Sequence, residues 1–359
     1  MTNSQDALVY AMVVDYFDPL PALTKKFLLK YYPETNEAEM VDLKSRRLFL
    51  KRSSCPDTLS SSDFYIGAKV LLYGRDLVVT EWADKQTANA LGPRATPGLV
   101  ILSPAAVEKG GKIIDALIGG ERTLAQLKLL KLDDNQAADL ASMLGVVDDA
   151  GEFQAEFTSG NIAAGVLHGE DILTHGAQVC SGMEGAYWVD DSEQQAEINR
   201  FLFGKDAYRR FGRTATFDSC TCCVVKPHAI KAGHAGRILS QIMEEGYEVS
   251  AMEMFHLTRT EAEEFMEVYK GVIPEYEDTI NEMVSGPCLA LELRAEDAVK
   301  TFRQSAGPWD IEMAKELQPG SLRGAFGVDR ARSGVHCTDL KEDGVSESQY
   351  FFDLLVNNV

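Results

Sequence analysis

Five residues between positions 226 and 347 have side chains that suit phosphate chemistry. They are Lys226 after the apolar run CTCCVV, Arg303 in a helical pattern, Arg323 in GSLRGAF, His336, and Glu347 near the start of the last predicted helix. One lysine and two arginines suit a polyphosphate, because a point charge and two forked guanidinium groups can neutralise phosphoryl oxygens. A neutral imidazole is nucleophilic near pH 7 and could accept a phosphoryl group, with a carboxylate orienting the ring. Dispersed arginines and histidines are also common as ordinary surface or core residues, so the residue types alone leave both interpretations open.

The elements that must position these residues alternate between strand and helix. The pattern predicts a strand at CTCCVVK, a helix at about 232–246 and a strand at YEVSAMEMF. Thr258 and Glu261 form a capping-box pattern that predicts a helix over 258–270. The later predicted elements are a helix near 275–284, the strand CLALEL, a helix at 296–305, a long irregular stretch at 307–337 that is strand-like or loop, and a last helix near 345–356. This alternation predicts an α/β sandwich, with Lys226 at the end of its first strand.

The chain from residue 97 onward contains an internal repeat. GKII at 111–114 matches GRIL at 236–239 with an offset of 125, and Ser103 matches Lys226 with an offset of 123. An offset that drifts by only a few residues predicts two copies of one domain, separated by small loop insertions.

Residues 1–90 predict a different kind of unit. Short runs rich in aromatic and β-branched residues, such as FYIGAKVLLYG and DLVVTEW, are separated by turn signals and predict an all-β barrel or sandwich. This segment carries eleven basic and twelve acidic side chains, which leaves −19 of the net charge of −20 on the rest of the chain. The predicted domains are therefore 1–90, 97–204 and 219–359, with a linker at 92–98 that contains Gly and Pro.

The composition disfavours several classes of function. Acidic residues outnumber basic ones by 55 to 35, so neither nucleic acid nor an anionic membrane is an expected partner, since both attract positive surfaces. No apolar run is long enough for a transmembrane helix, and the N-terminal segment MTNSQDALVYAMVVDYFD, which includes Asp6, lacks the basic start of a secretory signal. Seven cysteines without disulfide-like spacing predict a reducing compartment. Cys220, Cys222 and Cys223 alternate between the faces of one strand, which favours buried thiols over a metal site.

Residues 219–356 resemble the nucleoside diphosphate kinase family over their whole length. The matching motifs are CCVVKPHAI, MVSGPCLALEL, PGSLRGAFG, VHCTD and a last helix that ends in QYFF. Residues 1–85, with YYP, MVDLKSRRLFLKR, FYIGAKVLLYGR and LVVTEWADKQTA, resemble the DM-type β domain of ciliary proteins. The order of one DM-type domain and two kinase-like domains is more specific than any single motif and covers nearly all of the chain.

The resemblance implies a fold and a reaction. The fold is an α+β multidomain chain, with an N-terminal all-β DM-type domain (a pleckstrin-homology-like barrel) followed by two ferredoxin-like α/β sandwich domains. The reaction is a ping-pong exchange, in which a histidine takes the γ-phosphoryl group of one nucleoside triphosphate and gives it to a nucleoside diphosphate. Mg²⁺ is the expected cofactor, bound mainly through the phosphates, so no protein metal motif is expected.

The resemblance also assigns roles to individual residues. His336 matches the phosphoryl acceptor, Glu347 matches the carboxylate that orients it, and Thr338 replaces a serine hydroxyl beside it. Lys226, Arg303 and Arg323 match positions that bind the phosphates, and Ser333 matches the position that binds the ribose. Trp309 matches a base-site threonine. Either Glu275 or Tyr276 matches the base-stacking phenylalanine, and Tyr276 is taken as the site residue.

Several of these positions depart from the pattern of the family. Ser333 stands in place of an asparagine, and Trp309 lies in a loop that is longer than usual. The other substitutions are His228 and Ala325 for aspartates and Met266 for a tyrosine. The ribose and base contacts should therefore be weaker than the phosphate contacts, so we expect nucleotide binding to be retained and turnover to be reduced or lost.

The first copy lacks the residues that carry this chemistry. Ser103 replaces the lysine, and about 23 residues are missing from the part that holds both arginines and the histidine in the second copy. We expect the first copy to be a scaffold. Two functions follow as alternatives: phosphoryl exchange through the second copy only, or a purely structural role with weak nucleotide binding or none.

The resemblance implies a place for the chain in the cell. It predicts a protein of the cytoplasm and cytoskeleton, in the axoneme of cilia or flagella, on the inner wall of doublet microtubules. Its expected partners are tubulin, neighbouring doublet microtubule proteins and nucleotides. A monomer placed in a larger assembly is expected, because two tandem copies can form a dimer-like interface within one chain.

Overall fold

The chain folds into two compact units, Met1–Thr96 and Pro97–Val359. The structure is a computed structural model that describes residues 8–18, 21–56, 59–92, 97–120 and 122–357. The predictions made for the extreme N-terminus and for most of the linker fall on 1–7 and 93–96, outside the described residues. Among the described helices, none has both the length and the apolar character that crossing a bilayer requires.

The first unit is a six-stranded antiparallel sheet followed by a helix. Its elements are β1 Tyr10–Asp18, β2 Leu23–Tyr32, β3 Glu37–Asp42, β4 Leu48–Ser54, β5 Lys69–Leu72, β6 Arg75–Trp82 and α1 Lys85–Leu91. The strands pair in the order β4-β3-β2-β1-β6-β5, so β4 and β5 are the edges. The predicted β structure of this region is confirmed, while a pleckstrin-homology-like barrel stays a prediction.

Alternation of buried and exposed side chains builds the core of this sheet. Met12 and Val14 on β1, and Phe27 and Leu29 on β2, are fully buried, and the members of each pair are separated by one residue, as one face of a strand requires. Tyr73 and Gly74 close the β5–β6 hairpin with φ values of 52° and 71°. A two-residue loop with positive φ at both positions matches the right-handed twist of the strands that it joins.

The second unit is one eight-stranded sheet covered by helices. Its strands are β7 Pro97–Leu102, β8 Thr123–Lys131, β9 Asn161–His168, β10 Ala186–Val189, β11 Cys220–Val225, β12 Glu248–Phe255, β13 Cys288–Arg294 and β14 Val335–Cys337. They pair in the order β10-β7-β9-β8-β12-β13-β11-β14. The first copy supplies β7 to β10 and the second supplies β11 to β14. Numbered within each copy, both halves have the order 4-1-3-2 of a ferredoxin-like sandwich. Because both copies share one compact unit, the boundaries 97–204 and 219–359 stay a prediction.

The helices of the second unit lie between these strands. They are α2 Pro104–Val107, α3 Gly110–Leu117, α4 Asp134–Met143, α5 Ala150–Thr158, α6 Ile172–Ser181, α7 Ser192–Phe203, α8 Ala207–Arg210, α9 Pro227–Lys231, α10 Ala235–Glu244, α11 Arg259–Phe265, α12 Tyr276–Met283, α13 Ala298–Ala306, α14 Ile311–Leu317, α15 Leu322–Phe326 and α16 Asp343–Gln349. The last helix continues as a π-helix over Tyr350–Leu355.

Two sequence predictions of secondary structure were wrong. The stretch 307–337, predicted to be strand-like or loop, contains the strand β14 but also the helices α14 and α15. Asp310 and Ser321 cap the two helices with side-chain hydrogen bonds, but helices this short do not show a hydrophobic period. The helix predicted over 258–270 ends at Phe265 and is followed by a 3₁₀ turn over Glu267–Tyr269.

The two copies meet along a pseudo-symmetric seam of helices. A Cβ atom on Gly111 of α3 would lie 2.3 Å from the backbone nitrogen of Ser240 on α10, and one on Gly236 would lie 2.2 Å from that of Asp115. The offset of 125 relates Gly111 to Gly236 and also Asp115 to Ser240. The same contact is therefore made twice, as in the two-fold interface of a dimer, and glycine is what lets the helices approach.

Candidate functional site

His336 lies in the middle of β14 and is almost completely buried, with 1% of its surface exposed. Its Nε2 is 2.8 Å from Oε2 of Glu347. The same carboxylate oxygen accepts a hydrogen bond of 2.9 Å from the hydroxyl of Thr338. That hydroxyl in turn accepts one of 3.0 Å from the backbone N–H of Cys222. Strand β11 thus fixes the threonine, which fixes the carboxylate, which fixes the imidazole ring.

This arrangement selects one tautomer of His336. An ionised carboxylate can only accept, so Nε2 carries the proton and donates it to Glu347. Nδ1 then keeps its lone pair, and it is a buried atom with no hydrogen-bond partner among the described residues. A buried polar atom without a partner calls for an explanation, because almost all such atoms are paired. Nδ1 of His336 is held in place and its lone pair is not used in a hydrogen bond, so it can act as a nucleophile.

Lys226 follows β11 and is the N-cap residue of the short helix α9, where it is 1% exposed. Its Nζ donates a hydrogen bond of 2.7 Å to the backbone oxygen of Ala331. Burial and then the charge of Arg323 lower the pKa of Lys226 from 10.5 to about 7. The lysine therefore titrates near neutral pH, and a bound anion would favour its charged form.

The two arginines occupy different surroundings. Arg323 on α15 is 4% exposed, and its guanidinium donates to the backbone oxygens of Gly307 at 3.0 Å and Val335 at 3.4 Å. Arg303 on α13 is half exposed and forms an ion pair of 3.1 Å with Asp339. Each guanidinium carries five N–H donors, so both arginines keep donors that these partners do not use.

Trp309 packs against both buried cations and against an aromatic residue near the histidine. Its ring centroid is 5.6 Å from Nζ of Lys226 and 5.2 Å from Cζ of Arg323. It also lies almost parallel to the ring of Tyr269, 6.4 Å away. The indole therefore lies beside Lys226 and Arg323, the two buried residues that are predicted to bind phosphate.

An aromatic wall that the sequence did not reveal surrounds His336. Phe265 and Tyr269 meet the imidazole edge-on, at centroid distances of 5.0 and 5.9 Å. The hydroxyl of Tyr269 donates a hydrogen bond of 2.9 Å to Asp339. Met266, which the alignment with the family placed at the tyrosine position, is buried and follows Phe265 directly in the chain. Tyr269 was missed because it lies in the 3₁₀ turn after α11, where no regular period relates it to the site.

A second hydrogen-bonded group supports the loop before the histidine. The carboxylate of Glu282 accepts from both the backbone N–H and Nδ1 of His228, at 2.8 Å each. Nε2 of His228 then accepts from the N–H of Gly334 at 3.2 Å. The oxygen of Gly334 accepts from the N–H of Lys226 at 3.0 Å. His228, known from sequence only as a substitution, therefore helps to hold the backbone next to two predicted site residues.

Ser333, predicted to contact the ribose, and Tyr276, predicted to contact the base, are also buried. Ser333 is fully buried and makes one long contact of 3.5 Å with the oxygen of Val335. Tyr276 begins α12 and is 8% exposed, and its hydroxyl has no hydrogen-bond partner in the described part of the chain. Their roles toward a nucleotide stay predictions.

A cavity of about 980 Å³ opens beside the arginines. Arg303, Trp309, Arg323 and Asp339 line it, whereas His336 does not. Both arginines thus border the cavity, while the predicted acceptor does not.

The cysteines form no reactive or metal-binding group in the described chain. All seven are buried and free. Burial raises the pKa values of Cys222 and Cys223 well above the usual range, so neither is a ready thiolate. No cluster of three or more His, Cys, Asp or Glu side chains with metal-binding geometry occurs within the described residues. Mg²⁺ held by the phosphates of a nucleotide needs no such cluster.

Known proteins resemble this chain at two levels: a family model matches the copy that carries the site, and two relatives match nearly the whole chain. The sequence model described as "NDK: Nucleoside diphosphate kinase" matches residues 219–355, which include Lys226, His336 and Glu347. Nucleoside diphosphate kinase homolog 7 of rat is 36% identical over 374 aligned residues, which span 97% of this chain and 94% of that protein. The mouse homolog 7 has the same identity and coverage. The chain therefore belongs to the nucleoside diphosphate kinase family, and its similarity to homolog 7 extends over nearly its whole length.

Stand-alone kinases match a part of the chain about the size of one copy. Nucleoside diphosphate kinase of Aquifex aeolicus is 36% identical over 132 residues, which are 37% of this chain and 92% of that protein. A crystal structure of the A. aeolicus kinase covers 38% of this chain and 96% of its own, with 35% identity and a TM-score of 0.37.

Proposed function

We propose that the second copy exchanges phosphoryl groups between nucleotides through Nδ1 of His336. The observation that carries this proposal is the unpaired, buried Nδ1 of a ring whose Nε2–H is held by Glu347. A structural histidine of the same burial would be expected to use both nitrogens. Membership of the nucleoside diphosphate kinase family supports the same reaction class.

The exchange has two half-reactions that balance. In the first, the Nδ1 lone pair forms a bond to the γ-phosphorus as the bond from that phosphorus to the β–γ bridging oxygen breaks, and a nucleoside diphosphate leaves. In the second, a terminal oxygen of another nucleoside diphosphate takes the phosphoryl group and restores the neutral ring. The Nε2 proton stays hydrogen-bonded to Glu347 throughout, so the carboxylate stabilises the positive charge that develops on the imidazole.

The cations supply the phosphate site. Lys226, Arg303 and Arg323 would neutralise the charge that develops on the phosphoryl and leaving-group oxygens. Mg²⁺ carried on the phosphates would contribute further charge neutralisation when it is bound. Trp309 must move aside for this contact, because its indole lies beside Lys226 and Arg323. Turnover is therefore slow, and the substitutions Ser333 and Trp309 weaken recognition of the nucleoside.

The test is transfer of label from γ-labelled ATP to the full chain. An acid-labile, alkali-stable phosphohistidine should form on the wild type and disappear on addition of a nucleoside diphosphate. His336→Asn should abolish it, and Glu347→Gln should lower its rate by about 10–100-fold, the usual cost of losing a partner that orients a ring. His175→Asn in the first copy is the matched control and should leave the label unchanged. Equal labelling of wild type and His336→Asn would refute the proposal.

A structural role in the axoneme is the second candidate. It is favoured by the first copy, in which Ser103 stands where the second copy has Lys226, and in which only residues 169–185 join its third and fourth strands. The corresponding segment of the second copy, 295–334, holds both arginines. Keeping a whole copy without catalytic parts favours a scaffold that docks to tubulin and neighbouring doublet microtubule proteins in cilia or flagella, within the cytoskeleton.

The scaffold role is tested by deleting residues 1–90. If the DM-type unit docks the protein, the truncated chain should be lost from isolated axonemes, while His336→Asn should stay bound. Retention of the truncated chain at the wild-type level would exclude docking through this unit.

A further inference from the structure

One edge of the N-terminal sheet differs in charge from the rest of the chain. We define the basic edge as residues 43–52, which comprise the turn before β4 and most of that strand. It holds five of the 35 basic residues of the chain and none of its 55 acidic residues. In a chain with a net charge of −20, such a segment forms a local positive surface.

Most of these cations are available to a partner. Lys44, Arg46, Arg47 and Lys51 are exposed, and none of them takes part in an ion pair with another described residue. Arg52 is the exception, since it pairs with Glu37 at 2.7 Å and lies over the ring of Tyr32. The other four charges are therefore not neutralised by the described part of the chain.

Large apolar side chains are exposed among the cations. Leu43, Leu48 and Phe49 are 42%, 54% and 43% exposed. Strand β4 has no fully buried residue along its length. Leu50 packs partly against the core of the sheet, and the guanidinium of Arg75 lies 5.2 Å from the ring of Phe49. The ring of Phe49 also lies 4.5 Å from that of Phe27, a fully buried core residue. Apolar side chains at an edge are a liability unless something covers them, because they invite unspecific pairing.

The free backbone edge of β4 can pair with a further strand, which would cover the exposed apolar side chains. β4 pairs with β3 on one side, and no other strand of the described chain pairs with it. An edge strand presents a row of N–H and C=O groups that can accept a further strand. The register shifts of the β3–β4 ladder twist this edge, which restricts which strands can add to it.

We propose that the basic edge binds an acidic, extended protein segment that adds to β4 as a further strand. Main-chain hydrogen bonds would provide the pairing, the four unpaired cations would select carboxylates, and Leu48 and Phe49 would receive apolar side chains. Neither a duplex nucleic acid nor an anionic membrane would use the free backbone of a strand, and the acidic remainder of the chain would repel both. This inference is independent of phosphoryl transfer and deepens the docking role proposed above.

The test uses the full chain and a fluorescent decapeptide in which glutamate and valine alternate. The wild type should bind it with an affinity that falls as salt is raised. Reversing the four charges (Lys44→Glu, Arg46→Glu, Arg47→Glu and Lys51→Glu) should weaken binding at least tenfold. The matched control reverses four exposed lysines elsewhere, Lys109, Lys131, Lys205 and Lys315, and changes the net charge equally. Equal weakening in both variants would overturn a localised site.

Strand addition is tested with the wild-type chain alone, so that no variant has to fold. Two further peptides carry N-methyl groups on their odd or on their even residues. Alternate N–H groups of an added strand face its neighbour, so one of these peptides should lose at least tenfold in affinity and the other should not. Equal binding of both would overturn strand addition. Binding of phosphatidylserine vesicles or of duplex DNA through the same cations, without peptide binding, would assign the surface to another partner and overturn the proposal. Because this assay needs neither axonemes nor nucleotide, its failure is distinct from failure of either proposed function.

Discussion

At the scale of single residues, the site depends on groups whose charge is costly to bury. Lys226 is 1% exposed and shares its surroundings with Arg323, so its ammonium form is disfavoured until an anion arrives. Its pKa of about 7 makes this lysine a sensor of pH in the range where the protein would work.

Nucleotide binding should therefore weaken as pH rises through about 7. If the bound form always carries charged Lys226, the affinity for a triphosphate should fall roughly tenfold between pH 6 and pH 8, as the charged fraction of the free form falls. Lys226→Met should bind the triphosphate more weakly and should lack the pH dependence that Lys226 causes. The titration of the nucleotide itself affects both proteins equally, so it cancels in the ratio of wild-type to variant affinity, measured by calorimetry. A ratio independent of pH would contradict the low pKa.

The free energy of unfolding should change in the opposite direction from nucleotide affinity: it should rise as pH rises above about 7. Because the pKa of Lys226 is about 7 in the folded chain and 10.5 when the side chain is free in water, the unfolded chain binds more protons between these values. The cost of burying this charge is complete below pH 7 and is removed as pH rises toward 10.5.

His228 is a positioning residue, since it acts through Gly334 and touches no reacting atom in this structure. His228→Ala should leave Glu282 with one donor fewer in a buried site and lower the free energy of unfolding by about 1–3 kcal/mol. It should also slow phosphohistidine formation, because the backbone beside Lys226 and before His336 loses its support.

The readout that separates this role from simple destabilisation is kinetic. His228→Ala should lower the labelling rate at saturating ATP at a temperature where the variant is fully folded by circular dichroism. His234→Ala, a change at a partly exposed histidine near the same helix, is the control. Unchanged labelling by a folded His228→Ala chain would leave His228 a purely structural residue.

At the scale of elements, the loop between α13 and α14 decides access to the site. Trp309 lies in this loop and packs against Lys226, Arg323 and Tyr269. A nucleotide competes with the indole for the cations, so the apparent affinity is reduced by the fraction of chains in which the loop is open.

Removing the indole should therefore favour the nucleotide. Trp309→Ala is expected to tighten triphosphate binding, by roughly tenfold if the open fraction is near a tenth, and to raise the initial rate of His336 labelling. Trp82→Phe in the N-terminal unit is the control and should change neither. Weaker binding by Trp309→Ala would mean that the indole contacts the nucleotide and does not cover its site.

At the scale of the whole molecule, the two copies are joined by one continuous sheet and by the contact between helices α3 and α10. Strands β8 and β12 join the two halves, where Lys128 and Glu253 form an ion pair of 3.1 Å that is nearly buried. Burial lowers the pKa of Lys128 and raises that of Glu253, so each side chain depends on the other for its charge.

The seam glycines give a symmetric prediction. Gly111→Ala and Gly236→Ala should each lower the free energy of unfolding by about 1–3 kcal/mol, because the added Cβ meets backbone that cannot yield without separating α3 from α10. Gly151→Ala is a matched control, since Gly151 is also the second residue of a helix but has open space around it. It should stabilise the chain by up to about 1 kcal/mol. Urea titrations measure all three, and a stable Gly236→Ala chain would contradict the close seam.

Local patterns were sufficient for much of this molecule. Aromatic and β-branched runs separated by turn signals predicted the N-terminal strands, the offset near 125 predicted the repeat, and Thr258 with Glu261 predicted the start of α11. The residue types at 226, 303, 323, 336 and 347 suggested phosphate chemistry, and the family resemblance gave each a role. The helices α14 and α15 escaped prediction because their few residues show no period, although Asp310 and Ser321 mark where they begin.

The sequence by itself therefore determined the repeat, the two kinds of unit and the residues that could handle phosphate, since these depend on local period, composition and type. Only the tertiary structure decided that Trp309 packs against Tyr269 and the two buried cations, that His228 and Glu282 support Gly334, and that Nδ1 of His336 is left unpaired. Those features are contacts between side chains that are far apart in the chain. Their geometry is set by how the strands and helices pack, and no spacing along the chain encodes it.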